Sequence, residues 1–226
     1  MTSRRCAALA VAAAAWLTAP AAFAQPGDPS SRLEIGIGEL WMARQPLGRQ
    51  NATETTAAGA ALTQFTATSE LGGVAGLAGR AGVRVARSVV VEAEASYLQP
   101  QLRIALSGDT EGAAPVTATE TVQQFTMGGG VLWYVPVVQT RRLAPFLTGG
   151  GGYLRQLHEQ ATLVQTGRYY QFGGGVSALL VSRRHFHTKG VGARLDARAV
   201  VRSKGVAFDV GSKTSAAVGV SAFVRF

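Results

Sequence analysis

The sequence has little cysteine, few charged residues and no long apolar run after its N-terminal segment. Its only cysteine, Cys6, lies just before an apolar run near the N-terminus. Removal of this N-terminal segment leaves a chain without cysteine. That absence excludes disulfides, a thiol nucleophile and a cysteine metal site. Charged residues make up only 15% of the chain. After Pro20 no stretch is uniformly apolar over the roughly 18 residues that a membrane-spanning helix needs, which excludes a helical membrane protein.

The N-terminus has the pattern of an export signal. Arg4 and Arg5 precede an apolar run of about 13 residues, which is long enough for a signal-peptide core but shorter than the ~20 residues of a membrane span. Pro20 ends the run, and Ala22-Phe23-Ala24 supplies small residues for cleavage. We predict a signal peptide at 1–24 and one domain at 25–226. The net charge of +9 could suggest nucleic acid as a partner, but export argues against it.

The rest of the chain alternates between apolar and small or polar residues. Alternation with a period of two predicts strands, because successive side chains point to opposite faces. Each predicted strand has about the 10 residues needed to cross an apolar band. Glycine runs leave the register of the fourth and fifth strands open. The eight predicted strands are 32–42, 73–86, 89–105, 120–135, 146–157, 168–181, 191–202 and 215–226.

The polar stretches 43–68 and 106–119 are predicted to be long loops. They follow the first and third strands, so they emerge on the same side of a sheet. Short turns on one side and long loops on the other are typical of outer-membrane barrels. The sequence therefore predicts an all-β fold, an eight-stranded antiparallel up-and-down transmembrane β-barrel. An even number of strands places both chain ends on one side.

The last predicted strand has the clearest alternation. One of its faces carries Ser215, Ala217, Gly219, Ser221, Phe223 and Arg225 and is smaller and more polar. The opposite face is apolar throughout and suits contact with lipid. That apolar face consists of Ala216, Val218, Val220, Ala222, Val224 and Phe226.

Three further motifs resemble one family. They are the segment from Pro145-Phe146 through the glycines 149–152 to Tyr153, the segment from Phe172 through glycines 173–175 to Val176, and the Arg-bearing segment 192–198. In this order, with the leader and the terminal phenylalanine, they resemble the small outer-membrane β-barrel superfamily. That family includes OmpA-type, OmpW-type and porin-family eight-stranded barrels.

The resemblance implies a bacterial outer-membrane location with both termini periplasmic. It also implies that Val220, Ala222, Val224 and Phe226 form the signal read by the barrel-assembly machinery. The expected partners are outer-membrane lipids and lipopolysaccharide, and the expected state is a monomer without a cofactor and without bound nucleic acid.

Eight charged residues fall on the face opposite the lipid-facing residues. A charge facing lipid at mid-bilayer costs about 2–4 kcal/mol for Arg or Lys, so these side chains should line the lumen. Two hypotheses follow: the charges form an ion-pair network that plugs the barrel, giving a structural or surface-exposed protein, or they line a small OmpW-like channel for hydrophobic or small polar solutes. The eight residues are Glu34, Arg80, Arg84, Glu92, Glu94, Arg194, Asp196 and Arg198.

An enzymatic function has little support in the sequence. His185 and His187 lie in a predicted periplasmic turn, and His158 lies at the predicted outer rim. None of them has an identifiable nucleophile and acid to complete a triad, nor the third ligand that a metal would require. The glycine runs precede no helix and no Lys-Ser/Thr, so they do not form a phosphate-binding loop. We therefore expect no catalysis and no metal site.

Overall fold

The computed structural model describes residues 32–57, 59–110, 112–138, 143–158, 163–182, 188–204 and 211–226. The predicted signal peptide and both histidines 185 and 187 lie outside these residues. None of the helices in the described ranges is long and apolar enough to cross a membrane. The described chain forms twelve strands and one 3-10 turn, Pro136–Val138.

Eight of the strands close into a barrel, in the order β1-β12-β11-β10-β9-β8-β5-β4, and all neighbours are antiparallel. This confirms the predicted fold class. The β1–β12 pairing joins the two ends of the chain and leaves no open edge. The barrel strands are β1 (Leu33–Met42), β4 (Val74–Ala86), β5 (Val89–Leu98), β8 (Gln123–Tyr134), β9 (Leu143–Leu157), β10 (Val164–Ser182), β11 (Gly190–Lys204) and β12 (Lys213–Arg225).

The strand register fixes the width of the barrel. A path that starts at Val176 in β10 and passes from each residue to its partner on the next strand returns to β10 at Thr166. The stagger around the barrel is therefore ten residues. Eight strands with this stagger tilt by about 40° and enclose an interior that side chains can just fill. We call the end with Leu33 and Arg225 the terminal end and the opposite end the loop end.

The two faces of the wall have the predicted chemistry. Ile37, Leu195 and Val220 are more than half exposed on the outside, while Arg194, Asp196 and Phe223 are almost fully buried inside. Aromatic side chains stand on the outer face near both ends of the strands, with Trp41 and Tyr153 toward the loop end and Trp133 toward the terminal end. An apolar band between aromatic girdles is the surface that a bilayer requires.

Strands occupy most of the predicted loop 43–68 and both ends of the predicted loop 106–119, which corrects that part of the prediction. They form a second sheet in the order β2-β3-β6-β7. The four strands of this sheet continue the barrel strands β1, β4, β5 and β8 and lie in the same order. The sheet therefore prolongs one side of the barrel wall past the loop end, and we call it the extension. The extension strands are β2 (Gln45–Thr55), β3 (Ala61–Leu71), β6 (Gln101–Ser107) and β7 (Val116–Thr121).

The extension escaped prediction because its strands are polar on most positions. Its buried apolar residues form a small cluster of Leu47, Leu71, Leu102 and Val122, with Ile104 packed alongside. The predicted third strand, 89–105, is also divided, because β5 ends at Leu98 and β6 begins at Gln101. Pro100 between them has no backbone N–H to give to a ladder.

Glycines in the barrel wall make room for large interior rings. A Cβ on Gly128 would lie 2.5 Å from the hydroxyl oxygen of Tyr169, and one on Gly192 would collide with the ring of Phe223. Glycine therefore stands where an inward-facing aromatic side chain crosses a neighbouring strand.

The register of β11 can be tested by placing a charge on its outer face. We expect Leu195→Arg to lower the free energy of folding into lipid vesicles by about 2–4 kcal/mol, because the side chain stands near the middle of the apolar band. Ala199→Ser, on the same face, is the control and should change it by less than about 1 kcal/mol. Equal losses in urea titrations of the two variants would contradict this register.

Candidate functional site: the charged lumen

The structure places all eight predicted charged residues on the inner face of the barrel. They lie on β1, β4, β5 and β11, where the period of two turns every second side chain inward. Six of them, from β4, β5 and β11, form one cluster that crosses the middle of the lumen. The six are Arg80, Glu92, Glu94, Arg194, Asp196 and Arg198.

Asp196 lies at the centre of this cluster. Its carboxylate accepts a hydrogen bond from Nε of Arg198 at 2.7 Å. Nε of Arg194 lies 3.4 Å from the same carboxylate, and Nη1 of Arg80 lies 3.6 Å from it. One carboxylate therefore faces three guanidinium groups, and Asp196 itself is only 2% exposed.

The two glutamates of β5 complete the cluster from the opposite wall. Nη1 of Arg194 donates to Oε1 of Glu92 at 2.7 Å, and Nη1 of Arg198 donates to Oε2 of Glu94 at 2.5 Å. Arg198 also donates to Gln171 at 3.1 Å, and Arg80 donates to Ser221. Side chains from β4, β5, β10, β11 and β12 thus meet across the bore.

The other two predicted residues lie nearer the terminal end. Oε2 of Glu34 accepts from Nε of Arg225 at 2.8 Å, and Arg225 also donates to the Tyr134 hydroxyl at 3.2 Å. Arg84 forms no ion pair within the described part of the chain; it donates to the backbone carbonyl of Arg87 at 3.1 Å and lies 5.4 Å from the Tyr134 ring.

Two interior arginines were missing from the predicted set. Arg225 lies on the polar face of the last strand, which the alternation predicts to point inward. The alternation alone was therefore sufficient to place Arg225 in the lumen. Arg202 continues the inner face of β11 beyond Arg198 and is 6% exposed. It contacts Sδ of Met42 and has no carboxylate partner among the described residues. These two residues were within reach of the sequence pattern.

One acidic residue faces outward. Glu39 is exposed on β1 and is paired in register with Val220 and Leu77. It precedes Trp41 by two residues on the same face, toward the loop end. Charges cost less near the membrane interface than at the midplane, about 0–1 kcal/mol against 2–4 kcal/mol for basic residues, and acidic residues cost less still.

Apolar layers cover the charge cluster at both ends. Toward the loop end lie Leu40, Met42, Leu98, Leu154, Tyr169, Val200 and Ala217. Toward the terminal end lie Val90, Leu132, Tyr134 and Phe146. A cavity beside Arg80, Glu94 and Asp196 measures only about 10 Å³, which is the space of roughly one water molecule. At this level the described side chains leave little free space inside the barrel.

Acidic and basic side chains are equal in number in the central charge cluster, while arginines without a described acidic partner remain near each end of the lumen. Glu34, Glu92, Glu94 and Asp196 are matched by Arg80, Arg194, Arg198 and Arg225. Arg84 and Arg202, one near each end of the lumen, have no acidic partner among the described residues. Nε and Nη2 of Arg194 are buried without a hydrogen-bond partner there, as is Oδ1 of Asp196. Coulombic attraction at short range compensates for these incomplete hydrogen bonds.

The geometry offers no support for catalysis. Nδ1 of His158 lies 3.0 Å from Oε1 of Glu120 near the loop end, and among the described residues no hydrogen bond joins this histidine to a serine, threonine or lysine that could act as a nucleophile. No group of three or more His, Cys, Asp or Glu side chains in the described ranges could hold a metal ion.

Comparisons with known proteins were made at the level of family, curated sequence and solved structure. No family model matches the chain, and no curated protein matches it. The outer-membrane protein OprG from Pseudomonas aeruginosa is similar in structure, with a TM-score of 0.50 and 11% identity over 90% of this chain and 99% of OprG. Neisserial surface protein A gives a TM-score of 0.47 and 12% identity over 86% of this chain and 97% of that protein.

The chain has the fold of the small eight-stranded outer-membrane β-barrels. The closed barrel defines this class, and the similarity to OprG agrees with it. At 11% identity the likeness extends to the fold alone.

The ion pairs can be tested by removing their acidic members. In the double variant Glu92→Gln with Glu94→Gln, Arg194 and Arg198 lose their partners on β5. We expect the free energy of folding into vesicles to fall by about 3–5 kcal/mol, since breaking a buried pair leaves an uncompensated charge.

Glu70→Gln is the matched control, because the half-buried Glu70 on the extension pairs with the exposed Arg44 at 3.5 Å, outside the lumen. It should cost less than about 1 kcal/mol. If the double variant costs no more than this control, the lumen charges are solvated and do not hold one another.

Proposed function

We propose that this protein is an integral protein of the bacterial outer membrane whose lumen is closed and whose role lies in the structure or the surface of that membrane. The observation that carries the proposal is the paired charge cluster that crosses the bore between two apolar layers. Eight-stranded barrels are narrow enough for side chains to fill them. A solute would have to displace several buried side chains to pass.

The extension supports a surface role. It projects from the loop end as four strands with its own buried cluster. In the sheet order, β2 and β7 stand at the two edges, and most side chains of β7 are exposed. Exposed strand edges present unpaired backbone groups that can add a strand from a partner. A rigid sheet of this kind is better suited to contact with other molecules than a mobile loop.

Loop length supports the proposed orientation. With both termini in the periplasm, the short β4–β5 turn at the terminal end is periplasmic and the extension lies outside the cell. In this arrangement the partners are outer-membrane lipids, lipopolysaccharide and, during biogenesis, the barrel-assembly machinery. Val220, Ala222 and Val224 alternate outward on β12 with Phe226 following them, the pattern that this machinery would read. We further propose a monomer without enzymatic activity.

A conductance measurement tests the proposal. The purified protein, inserted into a planar bilayer, should give no steady unitary current, because paired side chains and two apolar layers cross the lumen. Insertion must be verified on the same sample by the shift in electrophoretic mobility between unheated and boiled protein. Steady currents with reproducible unit size would overturn the closed-lumen proposal and favour the small OmpW-like channel.

A further inference from the structure

The outer wall of the barrel carries a groove that the closed lumen does not explain. It has a volume of about 480 Å³ and runs across β1, β4, β5, β8 and β9. Gly79 and Ala95 form a shallow floor, while the side chains of Ile37, Leu77 and Met127 stand out around them and are each more than 60% exposed. A groove in the apolar band faces lipid, so its occupant must bring an apolar chain.

Aromatic rings bound the groove toward the loop end. The rings of Tyr97 and Phe125 contact each other in a tilted arrangement with their centroids 4.7 Å apart, and Tyr153 lines the groove beside them. Aromatic side chains with polar tips mark the interface between hydrocarbon and headgroups. The loop-end boundary of the groove therefore lies at the level of the headgroups.

Two arginines stand at this boundary on the outer face. Arg155 lines the groove and is paired in register with Phe125. Arg168 on β10 is paired with Tyr153, while Arg155 is paired with Thr166, so the two arginines are diagonal neighbours. Diagonal neighbours of this kind have Cβ atoms roughly 7–8 Å apart, which long side chains can bridge. Both are exposed, and neither forms an ion pair with a carboxylate in the ranges described.

We propose that the groove is a binding site for a phosphorylated, acylated glycolipid of the outer leaflet. Arg155 and Arg168 hold a phosphate of its headgroup, since guanidinium groups bind phosphate with charge-assisted hydrogen bonds. One acyl chain lies in the groove over Gly79 and Ala95, and the tyrosine hydroxyls face the sugar. The inference rests on the proposed outer-membrane location, which puts the loop end in the leaflet that carries such lipids.

Lipid retention by the purified protein tests the site. The full chain is inserted into phosphatidylcholine nanodiscs that contain a small fraction of lipid A, and the lipid A that remains with the barrel after extraction into mild detergent is measured by native mass spectrometry. In Arg155→Gln with Arg168→Gln, retention should fall at least tenfold. The loss of charge-assisted hydrogen bonds to the phosphate is the cause, and tenfold in affinity corresponds to about 1.4 kcal/mol.

The chain offers a matched control for each element of the site. Arg49→Gln with Arg103→Gln removes two exposed arginines from the extension and should leave retention unchanged. A Cβ on Gly79 would meet no atom within 4 Å, so Gly79→Leu should fill the groove without disturbing the wall and lower retention severalfold. Gly149→Leu places the same side chain on the outer face outside the groove and should have no effect.

Two results would overturn the inference. One is equal retention of lipid A by the wild type and both site variants, in samples that still show the mobility shift of folded barrel. The other is equal retention of phosphatidylglycerol in place of lipid A, which would reveal only general attraction to anionic lipid. Neither result bears on the closed lumen, which the conductance measurement tests separately.

Discussion

The structure depends on a closed ring of backbone hydrogen bonds surrounded by an apolar medium. Inside hydrocarbon an unpaired N–H or C=O costs several kilocalories per mole, so the sheet must close, as it does through β1 and β12. Closure of the sheet then determines which kinds of residue each face of the wall can carry. Alternate residues face lipid and must be apolar, and every charge within the apolar band is directed inward unless it lies near an interface.

The inward charges are confined to a narrow bore, so they must neutralise one another. Asp196 meets this requirement by facing three arginines, and Glu92 and Glu94 reach across from β5 to Arg194 and Arg198. Four acidic and four basic groups are matched in this way, with apolar layers above and below. The same narrowness brings charged side chains of opposite walls into contact, so the pairing is a consequence of strand number and stagger as much as of any single residue.

Much of this could be predicted from the sequence, because a period of two assigns each residue to a face without knowledge of the fold. Leu195 outside and Arg194 inside follow from that rule alone, as does the barrel itself. The partners could not be predicted. Whether Arg80 meets a glutamate of β5 or Asp196 depends on the register between strands, and the glycine runs in β8, β9 and β10 carry no side chains that would set it.

The extension was missed for a different physical reason. Outside the membrane neither face of a sheet needs to be apolar, so the strands β2, β3, β6 and β7 lack the alternation that marks the barrel. Their buried cluster comprises single residues far apart in the chain, such as Leu47 and Leu102. The outer groove was equally hidden, since Arg155 and Arg168 become neighbours only once β9 and β10 are in register.

The lumen charges hold one another across the bore, and a double-mutant cycle on Glu92 and Arg194 tests this most directly. The free energies of folding into vesicles are measured for the wild type, Glu92→Gln, Arg194→Met and the double variant. Contacting groups in one ion-pair network couple by about 0.5–3 kcal/mol, and we predict a value in the upper half of that range for atoms 2.7 Å apart in a buried site. A coupling energy near zero, with strictly additive losses, would mean that water fills the lumen and would contradict the account.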